Sequence, residues 1–235
     1  MNFLYADVLK TKFGVFGHFY NIRIGNKIFN CRSSLEIVSR SINQAAGEPA
    51  DAVVVMMNPG SSVPLDKRYK PKLYSQGEVC SPRWEKESIP TRPDNAQYQI
   101  MRLMLLNDWG YVKVLNLSDL RNGNSGKFSS EFEEASRLDA SNPHCVTHEE
   151  RRPELAQSLK TKRNGPVIAA WGSVKVLRES AKKLIELEPG IIGLKLDDPW
   201  YKYASPYMKD KKLDWLEKMD LLVKKHDKPI SSNHA

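Results

Sequence analysis

Short apolar runs separated by helical periodicities predict an α/β protein, built as a three-layer α/β/α sandwich around a central, mainly parallel sheet. Three runs carry this prediction. AVVVMM (52–57) and VIAAW (167–171) are continuous and apolar, as strands covered on both faces by helices are, and VKVLNL (112–117) is apolar but for Lys113 and Asn116. Segments with helix-capping residues or helical spacing lie between them. A chain of 235 residues is long enough to bury a full core as one domain. Residues 1–235 are therefore read as a single domain with an N-terminal hairpin at 15–33 and a basic, irregular excursion at 64–93.

Taken in order, FYNIRI and KIFNCR alternate apolar and polar residues around Gly25 and Asn26, which predicts the hairpin. A helix is expected from Ser34, whose hydroxyl can cap the turn beginning LEIVSRSI, with GEPAD ending it. AVVVMM follows as a central strand. From Pro64 to Pro93, prolines among Lys, Arg, Tyr and Trp leave no apolar period, and such long loops in compact domains tend to be functional. Asp94 and Gln97 have capping-box spacing ahead of Ile100, Leu103 and Met104, so a helix starts there and Gly110 ends it. After the strand VKVLNL, LRNGNSGKF is too rich in Gly and Asn for regular structure. The charged stretch 129–163 supports one or two surface helices. VIAAW is the next strand, and Val174, Leu177, Ala181, Leu184 and Ile185 keep helical spacing until Pro189 and Gly190. IIGLKL reads as a last short strand before an amphipathic helix through Leu213, Leu216, Met219 and Leu222.

The longest apolar stretches fall short of the about 20 residues that a membrane span requires. MNFLYADVLK has an early acidic residue and no secretory pattern, so a soluble, cytoplasmic protein is expected. Cys31, Cys80 and Cys145 lie far apart, as reduced, buried thiols do. His148 with Glu149 and Glu150 lacks the second histidine of a helical zinc site, so neither a metal nor another cofactor is expected. The net charge of +8 favours a polyanionic partner, because each phosphate neutralised by Lys or Arg releases condensed counterions. Nucleic acid is the natural one.

Buried parallel strands present their active residues at their C-terminal ends. Four such segments stand out: MMNPGSS (56–62), VLNLSDLR (114–121), AAWGS (169–173) and ASPYMK (204–209). In this order and near this spacing they resemble the uracil-DNA glycosylase superfamily over residues 50–210. Asn58, Pro59 and Gly60, with Ser61 and Ser62, resemble the first motif of the mismatch-specific thymine and uracil glycosylases. Asn116 stands where the uracil-specific branch has the asparagine that reads the base. Trp171, Gly172 and Ser173 resemble that branch's LLWGS turn, and Ser205, Pro206 and Tyr207 stand in place of its HPS motif. The segments are also similar to an uncharacterised bacterial and phage family with MNPS, NL, AWG and HPLY motifs.

The resemblance implies a glycosylase fold and a monofunctional enzyme acting on DNA as a monomer. A pyrimidine is flipped out at a cost of a few kcal/mol and its glycosidic bond hydrolysed, leaving an abasic site. Asn58 would orient the water, and Asn116 would match the base edge with one donor and one acceptor. Gly60 replaces the bulky tyrosine that blocks carbon 5 in the uracil-specific branch, which opens the pocket to thymine or a larger modified pyrimidine. Hydroxymethylated or glucosylated cytosine of phage DNA is included, so both repair and defence against phage fit. Ser205 replaces a histidine that the family uses near the base. Gly60, Ser61 and Trp171 join Asn116 around the base, and Asp66 is a further candidate for positioning water. Ser62, Arg121, Gly172, Ser173, Pro206, Tyr207, Met208 and Lys209 face DNA, with Tyr207 or Met208 as an apolar wedge and Lys209 on phosphate.

Blander roles compete at each position. NPG is a strong turn signal, Asn116 can be a satisfied core amide, Trp171 reads first as core, and Asp66 and Asp119 read first as exposed loop carboxylates. Gly172 permits a tight turn whose helix N-terminus can hold phosphate. Two other functions remain open on the same fold: a non-catalytic nucleic-acid-binding module, and a small-molecule N-glycosyl hydrolase.

Overall fold

The computed structural model describes residues 3–41, 48–162 and 165–226. One sheet of eight strands organises them. The hairpin is longer than its sequence signal: β1 (Phe13–Ile24) and β2 (Lys27–Ser39) pair antiparallel along their whole length around Gly25, whose φ of 57° requires the left-handed region. β3 (Ala52–Met56) is buried at every residue. β4 (Val63–Pro64), β5 (Lys72–Ser75) and β6 (Ile89–Arg92) are short, and β5 and β6 pair with the far side of β1. The excursion at 64–93 is thus stitched to the sheet edge. β7 (Tyr111–Asn116) and β8 (Val167–Ala169) complete the order β4-β6-β1-β2-β7-β3-β8.

The sheet is mixed, which corrects the expected mainly parallel one. β7, β3 and β8 run parallel, whereas β2 joins β7 antiparallel and brings the hairpin with it. The helix expected from Ser34 is also absent as far as Ser41, and the rest of that segment, 42–47, lies outside the described residues. Leu35 and Ile37 are fully buried opposite Val114 and Val112, while Glu36 and Val38 are half-buried. Period-two burial against a neighbouring strand overrides the local cap signal.

Helices cover both faces. α1 (Ala6–Lys12), α3 (Asn95–Leu106) and α7 (Lys209–His226) pack with Val54, Met56, Val112 and Val114. On the other face α4 (Ser125–Leu138), α5 (Arg152–Ser158) and α6 (Arg178–Leu187) pack with Val53, Val55, Leu115 and Ala169. A single turn, α2 (Gln76–Val79), sits inside the excursion. α3 starts at the expected capping box, in which Asp94 Oδ1 accepts from the backbone of Ala96 and Gln97 and Gln97 Oε1 accepts from the Asp94 N–H. α4 begins inside the segment read as loop, because Asn124 caps it through the Lys127 N–H. IIGLKL forms isolated bridges rather than a strand. Among the described residues no helix is long and apolar enough to cross a membrane.

Candidate active site

The C-terminal ends of β3 and β7 lie side by side, with Met56 in register with Asn116. Side chains alternate along a strand, so Asn116 shares the face of Val112 and Val114, beneath α3. It is fully buried, and neither its amide nitrogen nor its carbonyl oxygen has a hydrogen-bond partner. An unmade buried bond costs about 1–3 kcal/mol per group. None of the protein's own described groups satisfies this amide.

Asn58 follows two residues after β3 and is buried. Its Nδ2 donates to the backbone oxygens of Asn122, at 2.7 Å, and Leu120, at 3.3 Å. These bonds pin it to the loop after β7 and leave Oδ1 as the atom able to accept from water. Gly60 has φ of 65°, and a Cβ there would lie 2.7 Å from Asp94 Oδ2. Glycine is required on both grounds. One oxygen of Asp94 caps α3 and the other fills the space beside this turn that a side chain at residue 60 would take.

The rest of the turn is held in place by its neighbours. Ser61 packs closely on Gly123, whose Cβ would meet the Ser61 Cβ at 3.1 Å. Ser62 is buried, donating from Oγ to the Arg92 carbonyl and accepting at its own carbonyl from Arg121 Nη2. The Arg121 guanidinium lies 4.8 Å from the centre of the Phe19 ring.

A second guanidinium comes from the hairpin. Ser33 is an extra residue in β2, where the register shifts between His18 and Phe19. Its hydroxyl bonds His18 Nδ1 on the Trp84 side, whereas Arg32 fills the space over Gly17, with Cδ 3.2 Å from the position of a Gly17 Cβ. Gly17 alternates with Phe13 and Val15, which belong to the face covered by α3. Arg32 thus enters from the strand next to β7, on the same face as Asn116. It is buried, and its Nε and Nη1 have no partner. Burial lowers its pKa to about 10, Asp94 opposes that shift, and the group stays cationic at neutral pH.

No family model, curated protein or solved structure matches the chain.

The strand ends gather some of the expected residues and leave others apart. Asn58, Gly60, Ser61, Ser62, Asn116 and Arg121 cluster where β3 and β7 end. Ser205 is buried next to Ala204 of the α3/α7 core, and its Oγ has no partner. Beyond it, Pro206 is half-buried, Tyr207 is fully exposed and Met208 is 56% exposed. Lys209 does not stand free: its Nζ donates to Tyr5 Oη at 2.9 Å and lies over the Phe3 and Tyr5 rings.

Trp171 is on the opposite face, edge-on to Tyr201 and donating to the Pro199 carbonyl. It is core, away from Asn116. Gly172, at φ of 76°, gives its N–H to the Tyr201 carbonyl, and the first helical turn begins only at Lys175. No helix N-terminus therefore starts at Gly172, and Ser173 is exposed. Asp66 is turned to solvent, where Arg68 bonds hold its carboxyl below the usual range. It lines a groove of about 730 Å³ with Leu65, Tyr69, Ile89 and Pro90, on the excursion rather than at the strand ends.

Asp119 corrects its reading as an exposed carboxylate. It is fully buried and accepts from Tyr20 Oη at 2.7 Å and Arg151 Nη1 at 2.8 Å. Burial raises its pKa, against the pull of Arg151. The pair anchors the loop whose carbonyls hold Asn58. Sequence reasoning misses Asp94 and Arg32 as site residues. The cap signal of Asp94 uses one oxygen and is silent on the other, and an arginine in an alternating strand reads as solvent-facing.

Proposed function

We propose that this protein is a DNA glycosylase that takes a flipped pyrimidine at the ends of β3 and β7 and hydrolyses its glycosidic bond, on a uracil-DNA-glycosylase-like three-layer fold. The observation that carries this reading is Asn116: a buried amide with a free donor and a free acceptor matches the edge of a pyrimidine, which offers both. Asn58 Oδ1 orients the water. In this reading Asp94, beside the Gly60 turn, takes its proton in place of Asp66. As the C1′–N bond breaks, the electron pair leaves with the base, and the hydroxyl of water joins the anomeric carbon.

Negative charge then develops on the base. The family histidine is Ser205 here, which offers one neutral hydrogen bond. Arg32, cationic and short of partners on the Asn116 face, supplies the charge complement. The basic chain and the exposed Tyr207 and Met208 support a DNA substrate over a free nucleoside. Gly60 itself carries no bulky side chain, with the Asp94 carboxylate standing beside it, and this reading extends the substrate to a 5-substituted pyrimidine, including the modified cytosines of phage DNA.

The deciding assay incubates the protein with DNA containing uracil, thymine opposite guanine, hydroxymethylcytosine or its glucosylated form, followed by alkaline cleavage of abasic sites. Strand cleavage that falls by about 100-fold or more in Asn58→Ala and Asn116→Ala is expected. Intact strands on every substrate, or cleavage indifferent to both substitutions, would overturn the proposal.

A further inference from the structure

Away from the strand ends, Cys80, His148 and Glu150 bring a thiol, an imidazole and a carboxylate together, with their ligand atoms all within 4.8 Å of one another. Cys80 Sγ lies 3.6 Å from His148 Nδ1. A tetrahedral zinc ion, with Zn–S near 2.3 Å and Zn–N of about 2.0–2.1 Å, separates the two by about 3.5 Å. The geometry points to a binding site for a zinc-class divalent cation, held by Cys80, His148 and Glu150 with a fourth position open to solvent.

The backbone that presents these groups is fixed independently of them. Cys80 closes α2 through its N–H to the Gln76 carbonyl, and a capping box between Ser75 and Glu78 sets the start of that turn. His148 donates its N–H to the Cys145 carbonyl and accepts from the Arg151 N–H, so a tight turn carries His148 and Glu150. Arg151 at its end is buried against Asp119 and Glu154. The donor set also discriminates. A thiolate with an imidazole suits zinc and its neighbours, whereas magnesium and calcium prefer oxygen ligands throughout. Access is graded, with Cys80 buried, His148 half-buried and Glu150 exposed. An ion there would clasp the excursion to the segment that leads into α5. Cys31 and Cys145 are almost wholly buried and stand outside the trio.

The test treats the full chain with a chelator and titrates it with cobalt(II), following the thiolate-to-metal charge-transfer absorption, and then displaces the cobalt with zinc. One equivalent is expected, with the absorption lost in Cys80→Ser and kept in Cys145→Ser. Glu150→Gln changes an exposed residue and leaves the fold intact, and it should weaken zinc binding by about tenfold or more. Absence of the absorption in the unaltered chain, its survival in Cys80→Ser, or unchanged affinity in Glu150→Gln would each overturn the proposal. None of these readouts depends on glycosylase activity.

Discussion

At the scale of the residue, the two oxygens of Asp94 stand in separate places, one capping α3 and one beside Gly60, and substitution can separate the cap from the proposed catalytic role. Asparagine caps helices about as well as aspartate. Asp94→Asn is therefore expected to unfold in denaturant within about 1 kcal/mol of the parent chain while excising base about 100-fold more slowly. Loss of stability without loss of rate would return Asp94 to a capping role. Asn116 makes a sharper case, because its side chain has no hydrogen-bond partner among the described residues. Asn116→Leu keeps the same branched four-heavy-atom side chain and removes two unpaired polar groups, so stability should rise by about 1–3 kcal/mol as excision disappears. Urea unfolding read beside the abasic-site assay checks both halves. A destabilised variant would mean that the amide has a partner in the folded chain.

At the scale of the element, what the sequence discloses depends on whether a signal is local. The box at Asp94 and Gln97 is complete within four residues, and α3 starts where it predicts. Asp94→Ala should cost about 1 kcal/mol, from the loss of that cap, in the same urea measurement. The strands AVVVMM and VIAAW are visible because burial on both faces leaves them continuously apolar, and VKVLNL because only Lys113 and Asn116 interrupt it. Ser34 with LEIV reads equally well as a capped helix, and the matter is decided by β7, which is distant in sequence and offers Val112 and Val114 to Ile37 and Leu35. The site divides along the same line. Asn58, Gly60 and Asn116 are found from their places at strand ends. Arg32 is hidden, since a bulge at Ser33 and the bare face of Gly17 together turn it inward, and neither is recognisable without the pairing register.

At the scale of the whole molecule, buried titratable groups make the fold sensitive to acid. Burial lowers His18 to about 4 and His144 to about 3. Both histidines are neutral in the folded chain at pH values where the unfolded chain, near 6.5, is already protonated. Their contribution is complete above about pH 6.5 and is lost as pH falls through the folded values. Glu154 acts in the same direction at lower pH: the Arg151 and Lys86 charges outweigh its burial and bring it to about 2, so its contribution is present above its ordinary carboxylate range and is lost towards pH 2. Unfolding free energies from urea titrations are expected to decline from pH 6.5 towards 4, by about a few kcal/mol in all. His18→Gln should shallow that decline. A flat profile between pH 7 and 4 would show that the histidines charge freely in the folded chain.

The place of β2 between β1 and β7 has a consequence for dividing the molecule. A fragment beginning at Ala50 would contain every strand-end motif and yet have lost Arg32, while β7 would present an unpaired edge to other chains. Restoring Phe13–Ser39 as a separate peptide would close that edge and return the guanidinium in one step. Strand addition and recovery of the proposed activity would thus be the same molecular event, and the protein is built in a way that lends itself to a two-piece complementation switch.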